Sequence, residues 1–275
     1  MGRLHSRGMA CADIARLRAA GVENFNLDLI AGLPHQTDAS WRISLQQTLE
    51  LGAPHVSVYM LEIDPDSRLG REVMAGGTRY HASFVPGEAL ITDLYLEACE
   101  RLNAAGVGQY EISNFARPGR QSRHNLKYWT RQPYLGFGLD AHSLLPAMRG
   151  PGRVLGKDAN AAAGDSNAAG NAGIEGVRFA TADSLQRYFG GAPLTPAPVS
   201  RLAAREECFF LGLRMNRGVE LAAIARQYGI DAELQRTIEE LCGMLLLAYD
   251  SERQWIHLTP KGRLLANEVF ERFIA

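Results

Sequence analysis

Apolar positions along the first 145 residues alternate between two periods. FNLDLIAGLP (25–34) and HVSVYMLEI (55–63) are mostly apolar runs closed by glycine or proline, and both predict buried strands of the parallel type. Between them Trp41, Leu45, Thr48 and Leu49 recur at helical spacing, with Thr37 placed to cap the helix and Gly52 to end it. Strand, helix and strand in about 40 residues predict a βαβ unit. A helix is expected over 12–20, stopped by Gly21. Another is expected over 88–105, with Leu90, Ile91, Leu94, Tyr95, Ala98 and Leu102 on one face. GQYEISNF (108–115) reads as a third strand, and YLGFGLDAHSLL (134–145) as a glycine-punctuated strand or loop. The first half is therefore α/β.

The pattern stops at residue 146. Residues 146–177 are rich in Ala, Gly and Asn and have no aromatic residue, a composition that buries little surface and reads as an insertion or linker. Beyond it helices are expected at 200–214, 219–228 and 231–247. A hairpin follows over 247–259, turning near Asp250 and Ser251, then a last helix opened by Thr259 and Pro260. That order predicts a winged-helix-like α+β module. Glu233, Glu239 and Glu240 against Arg236 on its third helix are not the basic face that DNA recognition needs. The expected division is 1–145, 146–177 and 178–275.

Composition narrows the partners. Of 275 residues, 46% are hydrophobic and 21% charged, and the net charge of −1 provides no global field to recruit nucleic acid or anionic lipid. No apolar run reaches membrane-spanning length and no signal-peptide core is visible, so a cytoplasmic protein without a transmembrane segment is expected. The four cysteines, Cys11, Cys99, Cys208 and Cys242, are far apart in sequence. Cys99, Cys208 and Cys242 lie in helical patterns and read as buried small hydrophobes. None forms a cluster able to hold an iron–sulfur centre or zinc.

The densest chemistry lies in YEISNFARPGRQSRHNLKYW (110–129), a turn-rich stretch. Arg117, Arg120 and Arg123 precede His124 and Asn125, and Tyr128 and Trp129 follow. Imidazole can ligate iron, aromatics can cover a macrocycle and guanidinium groups can meet propionates, so heme fits. A core-lining loop with solvated arginines fits as well. Asp28, inside the strand at 25–34, is expected to be buried. It could hold a ribose diol or form a structural salt bridge or cap. Glu62 closes the second strand near the same rim. Glu111 and Asn114 could line the same cavity. His35 is expected to be exposed, and His142 to be a structural histidine or a second ligand.

Taken in order, NLDLIAGLPHQT, SVYMLEIDP, YEISNFARPGRQSRHNLKYW and YLGFGLDAHS resemble the HemW family of heme chaperones. These are radical S-adenosylmethionine proteins related to oxygen-independent coproporphyrinogen III oxidase. The resemblance covers nearly the whole chain outside 146–177, and the terminal module resembles the HemN C-terminal domain. It implies the C-terminal part of a TIM-like radical-SAM partial barrel followed by that module. It implies that Asp28 and Glu62 contact S-adenosylmethionine, Glu62 through its backbone. It implies that His124 ligates heme iron, with Asn125, Tyr128 and Trp129 completing the heme motif, and that heme passes to acceptor proteins. HNLKYW matches the HNxxYW pattern that separates these members from the true oxidase. The family's CxxxCxxC loop for a [4Fe–4S] cluster would fall before Met1, so the chain is read as N-terminally truncated. The alternative is a coproporphyrinogen III dehydrogenase whose cluster-binding part is not in this chain.

Overall fold

The computed structural model describes residues 6–147 and 173–274. The chain divides into two compact units, Met1–Ser122 and Arg123–Ala275. The boundary falls inside the 110–129 stretch, one residue before HNLKYW. Most of the Ala/Gly/Asn-rich segment, residues 148–172, lies outside the described residues.

In the first unit the elements are α1 (Arg7–Ala19), β1 (Asn26–Ala31), α2 (Asp38–Glu50), β2 (His55–Met60), α3 (Arg68–Met74), α4 (Glu88–Ala104), β3 (Gly108–Gln109) and β4 (Asn114–Ala116). The sheet runs β1-β2-β4-β3, with β1 and β2 parallel and the other pairs antiparallel. Thr37 caps α2 through a reciprocal capping box with Ser40, and Trp41, Leu45 and Thr48 are the buried stripe, as their spacing predicts. Ile91, Leu94, Tyr95, Ala98 and Leu102 are the buried stripe of α4. The Trp41 indole Nε1–H donates to the Leu94 carbonyl at 2.7 Å and ties the two helices together. Gly32 sits at φ +100° where β1 turns toward α2, and a Cβ there would lie 2.7 Å from Ile91 Cγ1. Only glycine permits both that backbone and that approach.

Three expectations are corrected here. The first helix begins at Arg7, because Ser6 accepts from the Met9 N–H and caps it five residues earlier than expected. The strand expected over 108–115 is two short strands. Between them the chain turns: the Tyr110 N–H donates to the Asn114 carbonyl at 3.1 Å, and the Asn114 N–H to the Glu111 carbonyl at 3.4 Å. Cys99, Cys208 and Cys242 are half-buried rather than fully buried. Burial still pushes the thiols of Cys208 and Cys242 up, which keeps them protonated and unreactive.

The second unit holds α5 (Arg123–Trp129), β5 (His142–Pro146), β6 (Ile174–Ala180), α6 (Leu185–Phe189), β7 (Thr195–Ser200), α7 (Arg201–Gly212), β8 (Val219–Glu220), α8 (Leu221–Tyr228), α9 (Ala232–Gly243), β9 (Leu247–Asp250), β10 (Trp255–Leu258), α10 (Pro260–Leu264) and α11 (Ala266–Glu271). Two three-stranded antiparallel sheets form, β5-β6-β7 and β8-β10-β9. The first packs Leu144 and Val199 against Ala204 of α7. The second carries the buried Ile256 and Leu258, while Phe209 of α7 stacks on Phe273 at 4.7 Å. Asp250 turns the β9–β10 hairpin by accepting from the N–H groups of Glu252 and Arg253, both at 3.1 Å.

Here the corrections are local. Residues 174–177, expected to belong to the insertion, open β6 and pair with β5 and β7. Val219 and Glu220, expected to be helical, form β8 against Trp255 and Ile256. The last helix is two, broken at Leu265, whose backbone leaves the helical region at φ −109°, ψ 31°. Among the described residues, no helix is long and apolar enough to cross a membrane.

Candidate functional site

Strand periodicity builds a polar face in the first unit. Along β1, Asn26 and Asp28 point to one side and Leu27 and Leu29 to the other; along β2, His55 and Ser57 oppose Val56 and Val58. The register pairs Asn26 with His55, Asp28 with Ser57, and Ser57 with Asn114 of β4. One face of the sheet is therefore apolar, with Val56, Val58 and Phe115 fully buried. The other carries a connected set of polar groups.

Hydrogen bonds run across that face in one direction. The Tyr110 hydroxyl donates to His55 Nε2 at 2.9 Å and accepts the Ser122 N–H at 3.2 Å. His55 Nδ1–H donates to Asn26 Oδ1 at 2.7 Å. Asn26 Nδ2 donates to Asp28 Oδ1 at 2.7 Å and to Ser57 Oγ at 3.1 Å. Ser57 Oγ donates to Asn114 Oδ1 at 2.8 Å, and Asn114 Nδ2 donates to the buried Glu111 carboxylate. These partners assign His55 as the neutral Nδ1–H tautomer. Burial pushes the Tyr110 hydroxyl up to about 12, so it stays a donor at neutral pH.

Burial also holds the His55 imidazole below its ordinary value, and the nearby Asp28 charge opposes that shift. Because the folded state resists protonating His55, stability is full above roughly pH 6.5, where the unfolded imidazole is neutral, and falls as pH drops below it. Melts recorded from pH 7.5 to 5.5 should show this loss, at most about 1.4 kcal/mol per pH unit from this one group. His55→Gln should flatten that part of the profile; an unchanged profile would remove His55 as its source.

Asp28 is exposed, not buried as expected, because β1 edges the described sheet and its polar positions face away from the helices. Glu62 is exposed and follows β2. Glu111 and Asn114 are buried. Asn26, His55, Ser57 and Tyr110 are functional candidates that the apolar-run reading missed. The alternation in NLDL and HVSV is the signal that finds them.

His124 is the second residue of the second unit. HNLKYW is helical, as α5, rather than a turn-rich loop. The His124 ring is exposed, meets Tyr128 edge-on at 4.9 Å, and makes no hydrogen bond among the described residues. Tyr128 in turn meets Tyr134 at 4.5 Å. Asn125 is half-buried and has a partner. Trp129 faces inward: Arg214 lies over its ring at 4.6 Å, and its buried Nε1–H has no hydrogen-bond partner among the described residues. Trp129 therefore anchors α5, whereas His124 is presented to solvent. Arg117, Arg120 and Arg123 are exposed, as are His35 and His142.

Residues 199–265 match the HemN C-terminal domain. The heme chaperone HemW of Bacillus subtilis is 31% identical over 100% of this chain and 65% of its own length. That of Lactococcus lactis is 30% identical over 100% of this chain and 64% of its own. Over its whole length the chain is similar to the HemW heme chaperones. It spans just under two thirds of the length of these curated relatives. Coproporphyrinogen III oxidase (HemN) from Escherichia coli, a radical SAM enzyme, superposes with a TM-score of 0.69 at 20% identity over 98% of this chain and 59% of its own, which establishes the likeness of fold.

For this HemW-like chain, cofactor fit differs from group to group. The four cysteines are dispersed over the sequence, and among the described residues no group of three or more His, Cys, Asp or Glu side chains is placed to hold a metal. The residues present thus do not fit a [4Fe–4S] cluster. The exposed Asp28 carboxylate on a polar sheet face does fit a sugar diol, since one oxygen is already oriented by Asn26.

Proposed function

We propose that this chain binds heme through His124 and delivers it to acceptor proteins, as a heme chaperone of the HemW type. The observation that carries the reading is the exposed imidazole on α5, free of hydrogen bonds to described residues and braced by Tyr128. An imidazole already committed to a carbonyl or carboxylate would lose that bond on turning to iron. This one loses nothing but water. Tyr128 meets the ring edge-on at 4.9 Å and lines one side of it. Trp129, held by Arg214, fixes the helix behind it. The relatives that match over the whole chain carry the printed name heme chaperone, which supports this reading over the dehydrogenase.

Heme is the cargo here, bound by ligation and released by ligand exchange to an acceptor. Asp28 is the residue suited to the ribose of S-adenosylmethionine, and Glu62, after β2, offers a backbone contact to the same molecule. Neither contact is needed for the heme step, and no radical step is assigned to this chain. The protein is expected to work in the cytoplasm.

Hemin titrated into the purified chain should shift the Soret band, and His124→Ala should remove the part of the shift that iron ligation produces while leaving the thermal melt unchanged, because the side chain is exposed. Identical spectra for the parent chain and the variant would refute the assignment.

A further inference from the structure

The chain following Tyr134 does something that the heme motif does not explain. Leu135, Phe137 and Leu139 are 61%, 86% and 43% exposed. Exposed apolar residues are ordinary when scattered, but three within five residues form a patch. This patch is not on a frayed loop. The Tyr134 N–H donates to the Leu144 carbonyl at 2.9 Å and the Leu144 N–H returns to Tyr134 at 3.0 Å. The Gly136 N–H donates to Ser143 Oγ at 3.0 Å, and Thr181 Oγ1 donates to the Gly138 carbonyl at 2.6 Å. A Cβ on Gly136 would lie 2.2 Å from the His142 carbonyl oxygen, so the loop crosses β5 at a distance only glycine allows. The backbone is fixed at both ends and Phe137 is held out into water.

A line of rings leads from His124 to the residue where this loop begins. His124 touches Tyr128, Tyr128 touches Tyr134, and Phe137 follows three residues later. Three residues span at most about 11 Å of chain, a reach comparable with a macrocycle. A single imidazole–iron bond leaves both faces of a porphyrin in water. Removing flat apolar surface from water needs flat apolar side chains next to the ligand. Resting on the heme reading above, we infer that Phe137, flanked by Leu135 and Leu139, covers the porphyrin whose iron is held by His124. His124 supplies the bond to the metal and the 135–139 loop supplies the apolar contact with the ring.

Two probes separate these roles: hemin, and metal-free protoporphyrin IX, which has no iron to ligate. Phe137→Ala in the full chain should raise Kd by about tenfold for both, the size of one lost aromatic stacking contact. Its melt should stay that of the parent, since the side chain has little packing to lose. Phe137→Trp should restore affinity. His124→Ala should weaken hemin far more than protoporphyrin IX and remove the part of the Soret shift that iron ligation produces. Parent-like affinity of Phe137→Ala for both probes, with hemin binding still weakened in His124→Ala, overturns the cover and leaves the heme reading standing. A loss confined to hemin also overturns it, because the effect would then run through iron ligation. A parent chain that binds neither porphyrin overturns both.

Discussion

Glu207→Ala is expected to destabilise the second unit by about 3–5 kcal/mol, the usual consequence of breaking a buried ion pair from one side. Glu207 is the one charged side chain in the buried set of α7, with only 6% of its side chain exposed. One carboxylate oxygen accepts from Arg131 Nε at 2.5 Å and the other from Arg178 of β6 at 2.8 Å. Removing the carboxylate leaves two guanidinium groups facing each other, and Arg131, 13% exposed, has little water to turn to. The effect should reach the heme motif. Arg131 ends α5 with a left-handed backbone at φ +52°, its N–H donating to the Tyr128 carbonyl at 2.9 Å. A non-glycine residue there costs roughly 1–2 kcal/mol, and the ion pair with Glu207 offsets it. Without the pair the last turn of α5 should fray and hemin affinity should fall alongside stability. Urea melts followed by tryptophan fluorescence, with a hemin titration on the same samples, test both. Glu207→Gln, which keeps the shape and one acceptor, should fall between the parent and Glu207→Ala. A Glu207→Ala melt within 1 kcal/mol of the parent would show that the triad is worth no more than a surface pair.

Much of this architecture is legible in the sequence, and the parts that are not share a cause. Helices α2 and α4 follow from Trp41, Leu45 and Thr48 and from Ile91 to Leu102, because a 3.6-residue stripe bounded by a cap and a glycine has few alternative readings. The hairpin at Asp250 follows from its turn residues. The strand face of Asp28 does not follow from an apolar count over FNLDLIAGLP. Which side of a strand is covered depends on what packs there, and β1 edges the described sheet. The break at Tyr110–Ser113 is equally hidden, since YEISNF alternates like a strand. Glu111 turns inward there because Asn114, three residues on, donates to it across a turn that strand-like alternation does not reveal. Ile174–Val177 read as linker because glycines flank them; their strand character comes from pairing with β5 across sequence-distant residues. For HNLKYW the sequence names the residues of the site, while the fold divides their roles, Trp129 inward under Arg214 and His124 outward.

In the first unit the largest expected effect belongs to Trp41. The side chain is 1% exposed, fills the contact between α2 and α4, and donates its indole N–H to the Leu94 carbonyl. Trp41→Ala should cost about 3–5 kcal/mol, combining lost transfer energy with a cavity that neighbouring Leu45 and Leu94 close only in part. Each kcal/mol lowers the midpoint by roughly 3–5 °C for a unit between the 100- and 150-residue classes. Trp41→Phe keeps most of the apolar contact and loses the hydrogen bond, whose net worth is about 1 kcal/mol. The two variants therefore separate packing from hydrogen bonding. If volume dominates, Trp41→Phe recovers most of the midpoint; equal losses in both variants would mean that the indole N–H, and not the ring, holds α2 against α4. The polar face depends on the same packing. Tyr95 of α4 donates through its hydroxyl to the Ile112 carbonyl at 2.5 Å, inside the turn that carries Tyr110 and Glu111. A displaced α4 should loosen that turn and with it the Tyr110–His55 bond. Trp41→Ala should consequently also flatten the acid-side profile assigned to His55, which Trp41→Phe should preserve.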